Sequence, residues 1–105
     1  MTAESVRFIY RLRPGAGRAY DAHHERVPAA LRSLIKSAGI CGYTIWRHEE
    51  VVVCEFETTR GYGETSRILA ASDIQKEWTS LLWPLFESIE SDGEPLWLHE
   101  VFRLE

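Results

Sequence analysis

Cysteine is scarce: Cys41 and Cys54 are the two in 105 residues, too few for a disulfide framework. Neither sits in a Cys-x-x-Cys pair that would suggest zinc or redox work. Both fall on strands of one expected hairpin whose turn lies near His48-Glu49-Glu50, and if 48 pairs with 51 then Cys54 faces Ile45, not Cys41. Two buried free thiols are expected. Positive charge is also in short supply. Twelve Lys and Arg against sixteen Asp and Glu leave a formal net charge of −4, which counts against a nucleic-acid partner. The basic cluster of Arg7, Arg11, Arg13 and Arg18 reads as the solvated side of a strand and its loop. No apolar run is long enough to span a bilayer, so no membrane partner is expected. The opening Met1-Thr2-Ala3-Glu4-Ser5 lacks the apolar stretch of a secretory signal, and the cytoplasm is the expected location. A Gly-rich phosphate loop and a Gly-x-Ser-x-Gly elbow are both missing. The four histidines show no ligand-like spacing, so a zinc site is poorly supported.

What is present is periodicity. Val6, Phe8, Tyr10 and Leu12 alternate with Arg7, Ile9, Arg11 and Arg13, the period-two signature of a strand with one face in the core. Pro14-Gly15-Ala16-Gly17 breaks it. From Arg18 the step changes to three and four: Tyr20, His24, Val27, Leu31, Ile35 and Ala38 share one helix face. Pro28 predicts a kink or restart within that run, and Gly39 a stop. Strands are expected over 42–47 and 51–57, then a helix over about 58–70 weakened by Gly61 and Gly63. Ser72 or Asp73 can cap a helix over about 74–87, which Pro84 should bend or end early. A polar, turn-rich stretch over 88–95 leads to a last strand over 96–104. The order strand, helix, strand, strand, helix, strand predicts a ferredoxin-like α+β fold. That is a four-stranded antiparallel sheet with helices on one face, built from residues 1–105 as a single domain. Apolar residues on the other sheet face call for cover, and a second copy in a homodimer is the simplest source.

The most informative side chains are Tyr20 and His24. Their i, i+4 spacing makes them neighbours on a helix face that continues as Val27, Leu31 and Ile35 and so points at the sheet. Polar, proton-handling groups there either reach backbone partners at a core edge or line a pocket, and patterning alone favours the core edge. Tyr10, Tyr43, Trp46, Trp78, Trp83 and Trp97 are a rich aromatic supply for so short a chain. Such rings can stack on a sugar's C–H faces or simply fill core and interface; for Trp46, Trp83 and Trp97 the filling role is preferred. Glu55 and Glu100 lie in strands, where an inward carboxylate would need a partner.

Taken in order, several segments resemble the L-rhamnose mutarotase family. They are Phe8 to Leu12, Tyr20-Asp21-Ala22-His23-His24, Leu31 to Ile35, Ala38-Gly39-Ile40 with Gly42-Tyr43-Thr44-Ile45, Phe56-Glu57, Ala71-Ser72-Asp73-Ile74 ahead of Trp78, and Glu100-Val101-Phe102. The resemblance implies a dimeric α/β barrel that exchanges the α and β anomers of a free monosaccharide without cofactor or metal. It also implies His24 and Tyr20 as catalytic residues, and Tyr43 and Trp78 as substrate-binding residues. Three features depart from the family pattern, one of them the short hairpin loop near His48-Glu49-Glu50. Arg26-Val27-Pro28-Ala29 lacks the Trp-Pro pair common after the helix histidine, and Trp78-Thr79 stands where a Trp doublet is frequent. Two other readings stay open: a cofactor-independent monooxygenase of the antibiotic-biosynthesis type on the same barrel, and a non-enzymatic small-ligand-binding module.

Overall fold

In the computed structural model, which describes residues 3–87 and 95–105, alternation along β1 (Glu4–Arg11) sends Val6 and Phe8 into the core and Arg7 and Arg11 outward. Helix α1 (Gly17–His24) and helix α2 (Ala29–Ser37) follow, with Pro28 at the N-cap of the second. The restart predicted at Pro28 is therefore present, because a ring without an N–H can begin a helix but not continue one. Gly39 closes α2 at φ 95°. Strands β2 (Ile40–His48) and β3 (Val51–Thr58) form the hairpin in the expected register, His48 opposite Val51 and Ile45 opposite Cys54. Helix α3 (Tyr62–Ala70) begins four residues later than expected. Helix α4 (Asp73–Leu82) gives way to a 3-10 turn, Trp83–Leu85, at Pro84. The order β2-β3-β1-β4 completes an antiparallel ferredoxin-like sheet, with β4 (Leu96–Trp97) beside β1.

Two expectations need correction. The last strand is not nine residues but two. Beyond the Leu98 amide, which donates to the Arg7 carbonyl at 3.0 Å, residues 99–105 are exposed and hydrogen-bonded to no strand among the described residues, so the apolar alternation there has no ladder to join. Cys54 is buried as expected, but Cys41 is exposed, because its place opposite Glu57 turns it to the face that carries no helices. Both thiols are free. The stretch expected at 88–95 lies, up to residue 94, outside the described residues.

The helices cover one face only. Phe8, Val52, Cys54, Phe56 and Leu12 pack with Tyr20 and Leu82 there. On the opposite face Trp46, Val53, Ile9 and Leu96 stand directly across from one another, an apolar row spanning all four strands. Trp46 is 51% exposed.

A chain of hydroxyls ties the end of β3 to α3. Thr65 Oγ1 donates to the Ala38 carbonyl at 2.8 Å, so at the 2.6 Å contact Thr58 Oγ1 must donate to Thr65, while the Arg60 amide donates to Thr58 Oγ1 at 3.2 Å. Both threonines are buried. Thr65→Val keeps the shape but strips the Ala38 carbonyl and the Thr58 hydroxyl of their partner, at a cost of about 1–3 kcal/mol. Calorimetry should show a melting temperature lower by roughly 4–8 °C per kcal/mol, and an unchanged value would refute this chain's role.

Candidate active site

Helix α1 lies across the helix-facing side of the sheet, and its last turn opens onto β2. A cleft of about 250 Å³ lies there, lined by Tyr20, Asp21, His24, Ile45 and Arg47. Tyr20 is buried at 4% exposure and stacks on the His24 ring, centroids 4.1 Å apart and planes tilted by 31°. The edge of the same imidazole meets Trp78 of α4 at 5.2 Å. His24 is therefore gripped between two aromatic rings, which fixes its plane.

A hydrogen bond fixes its tautomer. His24 Nδ1 lies 2.8 Å from the Tyr20 carbonyl oxygen, and a carbonyl can only accept. The proton therefore sits on Nδ1, and Nε2 carries the lone pair. Burial, with Cys54 and Tyr10 nearby, raises the pKa of the Tyr20 phenol, so at neutral pH it is a hydrogen-bond donor and not an anion.

Tyr43 reaches the same side of β2 through a bulge. Between Cys41 and Thr44 the pairing with β3 slips, and Gly42 takes φ 64°, a conformation that suits glycine. The bulge resets the alternation, so Tyr43, Ile45 and Arg47 all face α1. The Tyr43 ring leans on Phe56 at 5.0 Å, and its hydroxyl lies toward the Cys54 thiol. The ring has an exposed flank while the hydroxyl is enclosed, and that enclosure raises the phenol's pKa, with Cys54, Tyr20 and Tyr10 adding to it. Burial pushes the Cys54 thiol up to about 12, against a smaller lowering by Tyr43. At pH 8 a thiol reagent should therefore leave Cys54 unmodified until the chain is unfolded; rapid loss of Cys54 in the native state would contradict this burial.

Of the residues singled out from sequence, Tyr20 and His24 share the cleft, Trp78 touches His24, and Tyr43 packs on Phe56. Glu55 and Glu100 are not inward carboxylates: Glu55 pairs with Arg7 at 2.9 Å on the helix-free face, and Glu100 with Arg103 at 2.6 Å. Trp46, Trp83 and Trp97 are 51%, 60% and 43% exposed, so they do not fill the core of one chain. Periodicity also misses Asp21 and Arg47. Arg47 Nε and Nη2 donate to the two Asp21 carboxylate oxygens at 2.7 and 2.6 Å, and Nη1 donates to the Glu49 carbonyl at 2.8 Å. This bonding holds the Asp21 carboxyl below its ordinary pKa. Because the folded value is depressed, the pair's contribution is complete above the ordinary carboxylate range and disappears as pH falls through the folded value. A signal for the pair did exist: Arg47 is in phase with Tyr43 and Ile45, and a cation on an apolar face needs an anion. Among the described residues, no three His, Cys, Asp or Glu side chains converge as a metal site would require.

Sheet order and one-sided helices define a ferredoxin-like α+β protein, and the cleft at the α1–β2 corner is its candidate small-molecule site. The model of the L-rhamnose mutarotase family matches residues 5–104. An L-rhamnose mutarotase of Formosa agariphila is 30% identical, over 97% of this chain and 99% of its own length. A crystal structure of L-rhamnose mutarotase from the same organism shares the fold, with a TM-score of 0.76, 24% identity, and coverage of 97% of this chain and 99% of that one. So does tetracenomycin F2 cyclase of Streptomyces glaucescens, a type-II polyketide cyclase, at a TM-score of 0.61, 14% identity and 98% of both chains. The chain belongs to the L-rhamnose mutarotase family. By family it is an isomerase, a sugar mutarotase, and the monooxygenase and non-enzymatic readings are not favoured.

Proposed function

We propose that this protein interconverts the α and β anomers of a free hexopyranose, L-rhamnose being the substrate its relatives' names suggest, with His24 as the group that moves the proton. The observation that carries the reading is the 2.8 Å bond from His24 Nδ1 to the Tyr20 carbonyl, which leaves Nε2 unprotonated on a residue that lines the cleft. Anomer exchange breaks the C1–O5 bond, turns the aldehyde about C1–C2, and recloses it on the other face. His24 Nε2 takes the proton of the anomeric hydroxyl as the ring opens, and the O5 alkoxide receives that proton, directly or through one water. Closure reverses both transfers. A group that gains and loses its proton near neutrality serves both directions, and imidazole is such a group.

Tyr20 orients the sugar as a neutral donor, while Tyr43 and Trp78 shape the walls. No step requires a metal or an organic cofactor. Residues 1–105 work as one domain, paired with a second copy through the helix-free sheet face, and the cytoplasm suits a chain with two free thiols. The test is saturation transfer between the α and β anomeric protons of L-rhamnose. Catalytic amounts of protein should accelerate exchange well beyond the buffer rate. Exchange at the buffer rate for L-rhamnose and its hexose relatives alike would overturn the reading.

A further inference from the structure

The ion pair in the cleft wall has no sufficient explanation in stability. Arg47 and Asp21 side chains are 26% and 47% exposed, and a pair so wetted adds little to stability. Yet the guanidinium is held from three sides. Asp21 takes Nε and Nη2, the Glu49 carbonyl takes Nη1, and Gly17 at the start of α1 leaves it room. A Cβ on Gly17 would come within 2.5 Å of Nη1 and 2.9 Å of the guanidinium carbon. A planar cation fixed in this way, beside a carboxylate and on the same cleft wall as His24, is pre-organised for a ligand.

Resting on the mutarotase reading, we infer that Asp21 and Arg47 form a hydroxyl-reading fork that binds two neighbouring hydroxyls of the pyranose and so sets which sugar is accepted. The valences decide the ligand class. Arg47 has five N–H groups and spends three, so one remains on Nη1 and one on Nη2. Each Asp21 oxygen has accepted one bond and keeps a second lone pair. The fork therefore offers both donors and acceptors side by side. A hydroxyl, being donor and acceptor at once, can use both, whereas a carboxylate could use only the donors and would face Asp21. The pair is charge-compensated, and a neutral vicinal diol is the ligand it fits. Asp21 and Arg47 are specificity-determining contacts here, and proton transfer stays with His24.

The experiment compares L-rhamnose with its 2-, 3- and 4-deoxy analogues in NMR binding titrations, alongside anomer exchange. It uses the wild type, Arg47→Leu, Asp21→Asn and Gly17→Ala. For the wild type, removing a hydroxyl held by the fork should weaken binding by roughly tenfold or more, as loss of a charge-assisted hydrogen bond does. In Arg47→Leu and Asp21→Asn that ratio between sugar and deoxy-sugar should collapse toward one. Gly17→Ala, which favours the helix and alters neither charge, should shrink it by crowding the guanidinium. A merely structural pair would weaken all four sugars alike and leave the ratio intact, and that result overturns the inference. So does a wild type that binds none of them. Binding without anomer exchange refutes the mutarotase reading by itself, and the ratio still decides the fork.

Discussion

His24→Ala should lower kcat/KM for anomer exchange by about 10²- to 10⁴-fold, the range that positioned acid–base groups supply. The loss should fall mainly on kcat, because Tyr20, Asp21, Ile45 and Arg47 still line the cleft and the sugar still has a site. Alanine is a good helix former at the last residue of α1, so the fold should survive. His24→Gln adds a sharper comparison. Its amide can hydrogen-bond a sugar hydroxyl but cannot carry a proton, so it should recover binding without rate. Tyr20→Phe should cost less in rate than either, since the phenol is kept neutral by burial and orients the sugar without giving up its proton. Exchange kinetics by saturation transfer check all three. Full activity in His24→Ala would remove the imidazole from the mechanism.

The second large effect concerns assembly. Val53 stands in the middle of the row Trp46, Val53, Ile9, Leu96 on the face that no helix covers. Val101, Phe102 and Leu104 add apolar side chains 88%, 78% and 85% exposed on the segment that leaves β4. Apolar area of this extent on a chain of this size is characteristic of an interface. Val53→Glu places a carboxylate at the centre of the proposed interface, a change that costs about 3–5 kcal/mol per buried charge and raises the dissociation constant by at least ~10²-fold. In the separated chain the same carboxylate meets water, so the helix-side core and the far-ultraviolet spectrum should be unchanged. Light scattering should give a dimer for the wild type and a monomer for the variant. A monomeric wild type would remove the second copy from the picture, and a variant that stays dimeric would move the interface to another face.

What the sequence discloses follows from where one face is buried. The alternation in β1 and the hairpin is legible because helices cover one side, even-numbered in β1 and β3 and odd-numbered in β2 beyond its bulge, and the register at His48 and Val51 follows from the short turn. The Tyr20–His24 neighbourhood is legible for the same reason, as two polar groups in phase with Leu31 and Ile35. The ring-on-ring packing with Trp78 is not legible, since it joins α1 to α4 across a gap that no local period measures. Nor is the bulge at Gly42, although it decides that Tyr43 and Arg47 face the helix. The Asp21–Arg47 fork joins residues 26 apart in the chain, and although Arg47 falls in phase with Tyr43 and Ile45, no local period names Asp21 as its partner. At the other end the alternation over 96–104 overstates β4, because a period-two pattern reports a surface waiting to be covered as readily as a strand already paired.

The bond that assigns the His24 tautomer can be observed directly. Two-dimensional proton–nitrogen correlation of the imidazole at pH 8, without and with L-rhamnose, reads both ring nitrogens of His24. The expected spectrum has a protonated, pyrrole-like Nδ1 and a lone-pair-bearing Nε2, with Nε2 alone shifting as the sugar is added. A proton found on Nε2 in the free protein, or an Nε2 signal that ignores saturating sugar, would contradict the role given to this imidazole.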